Sequence, residues 1–421
     1  MSNLTAGAPG PTPTPTSAPA LPHAPTTLRG AIPAIAALFL VALAFRPQIV
    51  VIGPLLPTIR ESLNIPFGVA GLLTTIPVLC LGLFAPVGPW LGMKLGPRLA
   101  LALCVVITVV FGVARTLAPE AWQILLLTFG AGAGMGMAGP LLSISVRLRA
   151  PNRPGLATGA YAAGFVVGSS LAALLAIPLE TTLGGASGDW RHSLLLVALA
   201  GTFSLVAWLA LVPPDAPSEH VDSRPRALPW RRPIAWGLVA VFGLQSIIYF
   251  GAQTWLPNIY VERGWDPTTA GSLVGVLNTA SIAGTFGAPL IADRWGSRRQ
   301  QLLAIAAMKI VGLLGVILVP DYGFFWAAFL GLAVGGVFPL VLILPVDVAE
   351  KPGDIGAAAA LMLLGGYMLS SGGPASLGVV RDVTGDFGAV LWALVGLTVI
   401  FAAASWRLSP DRLRRGLAIH A

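Results

Sequence analysis

Two ten-residue stretches, PWLGMKLGPR at 89–98 and PLIADRWGSR at 289–298, align with each other at an offset of 200 residues. Both carry a proline, a basic residue, a glycine and an arginine at the same positions. The same offset, without a gap, aligns LPTI at 56–59 with LPNI at 256–259. Because similarity at a fixed period indicates an internal duplication, we expect two related halves.

The composition of the chain is that of a membrane protein. Hydrophobic residues make up 56% of the sequence, charged residues only 10%, and the mean hydropathy is +0.83. Soluble domains carry about 25% charged residues. The lipid bilayer is therefore an expected partner, and a single soluble domain is excluded.

Twelve apolar runs are long enough to cross a bilayer as helices, because a span needs about 20 predominantly apolar residues. They lie at approximately 31–56, 68–90, 97–117, 121–148, 155–179, 192–213, 233–257, 268–291, 300–319, 322–346, 356–380 and 387–407. An even number of spans places both termini on the same side of the membrane.

Basic residues indicate which side that is. Most of the 25 Lys and Arg residues fall in the connections on the side of the termini, and few, Arg115 among them, fall on the other. The positive-inside rule then predicts a multi-pass protein of the cell inner membrane with cytoplasmic N- and C-termini. This distribution also accounts for the net charge of +8 without a nucleic-acid partner.

The predicted organisation is two six-helix bundles joined by a polar linker. The segments are a disordered cytoplasmic tail at 1–30, bundles at 31–213 and 233–408, a cytoplasmic linker at 214–232 and a second tail at 409–421. Two parallel six-helix halves with a long linker resemble the major facilitator superfamily. The resemblance implies an all-α membrane fold of 12 helices, and we expect a monomer.

The duplicated stretches also resemble a motif of that superfamily, G-x-x-x-D-R-x-G-R-R. The second copy keeps Asp293, Arg294, Gly296 and Arg298, whereas the first keeps Lys94, Gly96 and Arg98. Charge pairing at these positions predicts a cytoplasmic latch between the halves. The alternative is an ordinary basic loop that obeys the orientation rule.

Arg46 is a charge deep within the first apolar run. A central arginine costs about 2.5–3.5 kcal/mol on insertion scales, so it must face the bundle interior. Three interpretations remain: an anion-binding group for a substrate, a partner for a buried carboxylate, or a residue that reaches the far interface. Because Asp347 lies near the end of its span, no deep carboxylate is evident for the second.

Few polar side chains could complete a binding site. The seventh span carries Gln245 and Tyr249, which share a helix face, and Gln253 continues that face. Asn278 and Tyr367 lie in the eighth and eleventh spans. Each could instead form an interhelical hydrogen bond. Gln245 and Tyr249 are favoured because the first and seventh helices are repeat mates, and such folds bind substrate between the repeats.

Several stretches together resemble the cyanate and 2-nitroimidazole transporter family (CynX/NimT). They are FRPQIVVIGPLLPTI at 45–59, AGLLTTIPVLCLGLFAPVGPWLG at 70–92, FGLQSIIYFGAQTWLPNIYVERG at 242–264 and GGYMLSSGGPASLGVVRDVTGDF at 365–387. The resemblance implies carriage of a small anionic or polar compound. Family members commonly have Asn or another small polar residue before the Arg-Pro pair, where this chain has Phe45.

These observations predict a secondary active or facilitated transporter that works by alternating access. The alternatives are an exporter of small organic compounds and a nontransporting sensor on the same fold. An enzyme is not expected, since no nucleophile and base assemble at membrane depth. The four histidines and two cysteines form no ligand pattern, so we expect neither a metal nor a cofactor. We favour a structural role for Lys309, whose side chain could extend to the cytoplasmic interface.

Overall fold

The computed structural model describes residues 28–183, 189–215, 228–292, 297–348 and 352–407, and the described parts are helical throughout their length apart from short connections. The helices of the first half are α1 Leu28–Ala42, α2 Pro47–Val50, α3 Ile52–Leu63, α4 Phe67–Leu83, α5 Val87–Leu95, α6 Pro97–Ala114, α7 Ala121–Arg149, α8 Pro154–Leu183 and α9 Trp190–Leu211. Those of the second half are α10 Pro233–Glu262, α11 Pro267–Ala292, α12 Arg298–Leu318, α13 Gly323–Val348, α14 Pro352–Thr384 and α15 Gly388–Arg407.

Nine helical segments of the described chain are long and apolar enough to cross a membrane, or ten if the bent pair α4 and α5 counts as one span. Helices α11 and α14, of 26 and 33 residues, are long enough but are not among the ten. Both carry polar and small residues, such as Asn278 and Ser370, and both contain residues that contact the opposite half. Both helices therefore take part in the contact between the halves of a multi-pass membrane protein.

The first two predicted spans are not continuous helices. The first is interrupted at residues 43–46 and again at Val51, and it continues to Leu63 rather than ending at 56. The second bends by 60° between α4 and α5, at a break that contains Pro86. Proline explains the first interruption and this bend, since Pro47 and Pro86 donate no backbone hydrogen bond and crowd the preceding turn.

One end of the bundle, at which α3 ends and α4 begins, is sealed by contacts between the halves; we call it the closed end. A cluster of buried hydrophobic residues there combines Leu55 and Leu73 of the first half with Trp255 and Leu273 of the second. Toward the opposite end, where α1 begins and α15 ends, the large buried clusters of the described residues each belong to one half. The halves are therefore joined mainly at the closed end and midway along the bundle.

Backbone approaches backbone at this seal. A Cβ atom on Gly71 of α4 would lie 2.7 Å from the carbonyl oxygen of Pro374 on α14. A Cβ atom on Gly53 of α3 would lie 2.5 Å from the carbonyl oxygen of Gln253 on α10. Because only a hydrogen atom fits at either position, these glycines permit the halves to meet.

A carboxylate of one half also caps a helix of the other. The Asp382 side chain on α14 accepts hydrogen bonds from the backbone N–H groups of Phe67, at 2.9 Å, and Gly68, at 2.7 Å, in the first turn of α4. The N-cap residue of α4 is Pro66, which supplies no side-chain hydrogen bond. Asp382 therefore satisfies exposed donors and complements the positive end of the α4 dipole.

We expect Asp382→Ala to favour opening of the closed end. Loss of a helix cap costs about 1 kcal/mol, which corresponds to roughly a fivefold change in an equilibrium. Spin labels at the exposed positions Glu61 and Thr268, one in each half, would report a larger population at long distance. The matched control is Asp386→Ala, because Asp386 accepts from the N–H of Ala389 within its own half. Identical distance distributions for Asp382→Ala and the unsubstituted protein would contradict a role in closure.

Candidate functional site

Arg46 lies in the interruption between α1 and α2, between the two halves. Backbone hydrogen bonds around it span three residues instead of four, as in the bond from the N–H of Phe45 to the carbonyl of Ala42 at 3.3 Å. This tighter turn and the missing N–H of Pro47 redirect the chain at Arg46. The Arg46 side chain is partly exposed, whereas Phe45 and Pro47 on either side are buried.

A chain of hydrogen bonds connects Arg46 to the second half. Its Nη1 donates to the phenol oxygen of Tyr249 on α10 at 3.1 Å, and that phenol donates to the Oδ1 of Asn278 on α11 at 3.3 Å. The Gln253 amide also donates to this Oδ1, at 2.7 Å. Three predicted residues, Arg46, Tyr249 and Asn278, therefore meet, and Gln253 of the predicted α10 face joins them.

Aromatic rings surround the guanidinium. Its carbon lies 5.7 Å from the ring centroid of Phe165 on α8, 5.6 Å from that of Tyr249 and 5.9 Å from that of Phe250. Ring faces attract a cation, and this attraction strengthens where water is excluded. Apart from the Tyr249 hydroxyl, these side chains offer Arg46 no hydrogen-bond acceptor, so the ring faces stabilise its charge and leave most of its donors available.

No carboxylate neutralises Arg46 within the described part of the chain, where no ion pair to it forms within 4.0 Å. One of its five N–H groups serves Tyr249. A guanidinium presents paired coplanar donors that match the oxygens of a carboxylate or a nitro group. The arrangement can therefore bind one small planar anion or a polar planar molecule.

Two predicted residues stand in different surroundings. The Gln245 amide is buried and donates to the hydroxyl of its neighbour Ser246 at 3.0 Å, away from the hydrogen-bond chain of Arg46. Tyr367 on α14 packs edge to face against Phe242, with centroids 5.0 Å apart. The Tyr367 phenol nevertheless lies close enough to Arg46 and Tyr249 to interact with them electrostatically.

The sequence predicts Arg115 in a connection between spans, and the structure has it in the turn after α6, where it is buried rather than exposed. Arg115 directly follows the last residue of α6, and only 1% of it is exposed. Its Nη2 donates to the side-chain oxygen of Gln48 at 2.7 Å and to the Gln48 carbonyl at 3.3 Å. The charge turns inward because these acceptors lie beside the end of α6. A charge that follows an apolar run is normally read as the start of a loop, so the sequence held little signal for this contact.

Lys309 is more buried than expected, and Glu180 is buried as well. Lys309 on α12 is fully buried rather than at an interface; its Nζ has no hydrogen-bond partner among the described residues and lies 5.0 Å from the Phe401 ring centroid. Glu180 is 3% exposed, because α8 continues past the predicted end of that span at 179. It interacts with Thr58 of α3 at the end of the bundle where α8 terminates.

The first copy of the predicted latch contacts its own half. Arg98 donates to the carbonyls of Val212 at 2.6 Å and Leu209 at 2.7 Å, which cap the end of α9. The Lys94 ammonium lies 4.4 Å from the Trp90 ring centroid. In the second copy, Asp293, Arg294 and Gly296 lie outside the described residues, and Arg298 donates to Gln301 on its own helix at 3.3 Å. The latch between the halves stays a prediction.

The sequence matches known transporters over most of its length. The sequence profile of the Major Facilitator Superfamily matches residues 38–374. The chain is 30% identical to the cyanate transport protein CynX of Escherichia coli (strain K12), over 89% of this chain and 97% of that protein. It is 27% identical to the 2-nitroimidazole transporter of the same organism, over 87% and 93%. A probable sulfoacetate transporter, SauU, of Cupriavidus necator is 26% identical over 84% and 88%.

Solved structures share the fold. A bacterial homologue of the human lysosomal transporter Spinster, in an inward-facing and unoccupied conformation, superposes with a TM-score of 0.72 and 16% identity, over 93% of this chain and 99% of that one. A D-xylose–proton symporter also gives a TM-score of 0.72, with 16% identity over 91% and 99%. At this identity the similarity concerns the fold alone.

We expect Tyr249→Phe to lower the free energy of unfolding by about 1–3 kcal/mol. The substitution removes both hydrogen bonds that link Arg46 to Asn278, and bonds to charged groups contribute about 1.5–3 kcal/mol. Thermal unfolding of the purified protein in detergent measures the effect. The control is Tyr322→Phe, since Tyr322 is 65% exposed. If both variants unfold like the parent protein, the Tyr249 hydroxyl does not link the halves.

Proposed function

Because the chain belongs to the Major Facilitator Superfamily, whose members are membrane transporters and not enzymes, we propose that its substrate is a small anionic or polar compound bound by Arg46. The substrate class includes a cyanate-like anion, a nitroimidazole and a small carboxylate. Relatives that transport cyanate and 2-nitroimidazole support this class. Transport is secondary active or facilitated.

A single observation carries the proposal: the Arg46 guanidinium donates to Tyr249 across the two halves and has no carboxylate partner among the described residues. An unpaired charge at membrane depth is costly, and such charges usually serve function. Tyr249 and Asn278 belong to the second half, so a substrate held by Arg46 contacts both halves. Gln245 and Tyr367 stay proposed second-half members of the site, although the Gln245 amide bonds to Ser246 and the Tyr367 ring packs against Phe242 in this conformation.

Substrate crosses by alternating access, in which the halves rock about a site near the membrane midplane. We assign the closed end to the outside of the cell inner membrane and both termini to the cytoplasm, in accordance with the distribution of Lys and Arg. In this orientation the described conformation is open toward the cytoplasm. The protein acts as a monomer, since one chain supplies both halves of the site.

Counterflow in proteoliposomes tests the proposal. Proteoliposomes that contain the purified protein and are loaded with unlabelled cyanate or 2-nitroimidazole should accumulate the labelled compound from outside. Arg46→Ala should lower the rate roughly 30-fold or more, because it removes a charged partner from a desolvated site. Arg46→Lys should also lower the counterflow rate, since an ammonium lacks the planar fork of donors of a guanidinium.

Arg153→Ala is the control for Arg46. Arg153 is an exposed arginine in the connection between α7 and α8, and its removal should leave the rate unchanged. Normal counterflow by Arg46→Ala would overturn the site assignment. Absence of counterflow for every small anion and nitroaromatic compound, by protein that is folded and correctly inserted, would instead favour a nontransporting sensor.

A further inference from the structure

The position of Arg46 depends on a very short helix. Helix α2 has four residues, Pro47–Val50, and is interrupted on both sides, at residues 43–46 and at Val51. A single helical turn does not hold its shape without tertiary contacts, because nucleation is unfavourable. Arg46 is the residue directly before α2, so whatever fixes α2 also fixes the origin of the Arg46 side chain.

Gln48 is the side chain that attaches α2 to the rest of the first half. It is fully buried, and its amide nitrogen donates to the carbonyl of Val197 on α9 at 3.3 Å. Its amide oxygen accepts from Arg115 at 2.7 Å, and the same Arg115 nitrogen donates to the Gln48 carbonyl at 3.3 Å. One residue of α2 is thereby connected to α6 and to α9.

The surroundings are shaped for this contact. A Cβ atom on Gly112, one turn before Arg115, would lie 3.1 Å from the Gln48 amide oxygen. A Cβ atom on Gly168 of α8 would lie 2.9 Å from the Pro47 ring. Glycines on two neighbouring helices thus leave room for Pro47 and for the Gln48 side chain. Larger residues at these positions would keep α2 from packing this closely.

The burial of the Arg115 charge that makes these hydrogen bonds is costly in free energy. It is 1% exposed, and its Nε and Nη1 have no partner among the described residues. A buried charge with incomplete hydrogen bonding costs several kcal/mol, and apolar replacements of buried charges are often neutral or stabilising. A requirement beyond stability would account for the retention of a guanidinium here.

We propose that Arg115 is a positioning residue for the Arg46 site. Acting through Gln48, it holds α2 so that Arg46 projects between the halves and meets Tyr249. Arg115 faces the interior of the first half and does not touch the substrate. Its effect on affinity rests on the proposed function of Arg46, whereas its effect on the backbone around α2 does not.

Binding of cyanate, measured by titration of the purified protein, tests the effect on affinity. Arg115→Met and Gln48→Leu should each weaken binding about tenfold, as loss of a supporting contact does at other binding sites. The double variant should bind no more weakly than either single variant, because the two side chains act as one unit. Gln48→Glu, which keeps the acceptor for Arg115, should bind within about threefold of the parent protein.

Lys309→Met is the matched control. It also removes a fully buried cation, but from α12 in the second half, where the Lys309 ammonium lies 5.0 Å from the Phe401 ring centroid. It should leave cyanate affinity within about twofold. Equal losses in Lys309→Met and Arg115→Met would show a general effect of removing buried charge, and would overturn the proposal.

Hydrogen exchange separates this proposal from the proposed function. Without any ligand, backbone amides of residues 43–51 should exchange about tenfold faster in Arg115→Met and Gln48→Leu than in the parent protein, because local opening becomes easier. Amides of α12 and α15 should be unaffected. If the parent protein binds no cyanate but exchange increases as expected, the substrate assignment fails and positioning stands. If exchange at 43–51 does not change, the positioning role is wrong.

Discussion

A guanidinium at membrane depth needs hydrogen-bond acceptors and aromatic surfaces in place of water, and the architecture around α1, α8 and α10 satisfies that requirement for Arg46. Phe165, Tyr249 and Phe250 present rings to the charge, and Tyr249 supplies one acceptor. These groups come from both halves, so the electrostatic environment of Arg46 exists only while the halves are close at this depth. Movement of one half relative to the other therefore changes the solvation of the charge.

The interruptions of the first span orient Arg46 toward this environment, but they leave backbone groups without hydrogen-bond partners in the helix. In a continuous helix the regular helical turn would fix the direction of the Arg46 side chain. The breaks at 43–46 and at Val51 instead let α2 be oriented independently of α1 and α3. Freed backbone groups in a membrane must find other partners. Arg115 supplies one to the Gln48 carbonyl, so this buried guanidinium satisfies part of the polarity that the broken helix exposes.

The duplication and the pairing of Arg46 with Tyr249 could be predicted from the sequence, because a fixed offset relates the first and seventh helices and spacing places Tyr249 on one face. Gln245 was predicted on the same reasoning, yet its amide bonds to Ser246. Spacing defines the face of a helix, but not the depth at which a broken partner helix presents its side chain. The contact of Arg115 was missed because both of its acceptors belong to Gln48, which lies 67 residues away in sequence.

The glycine contacts at the closed end have a consequence for how the seal could separate. At Gly71 and Gly53 the opposing surface is a peptide carbonyl already within a helix, rather than a side chain inserted into a socket. Two backbone surfaces of this kind can separate without the withdrawal of side chains from between the residues of the facing helix. The barrier to separating these two contacts then comes mainly from the hydrogen bonds beside them, from the Asn258 amide to the Gly53 carbonyl at 3.3 Å and from the Ala375 N–H to the Thr75 hydroxyl at 3.2 Å, rather than from interlocked side chains.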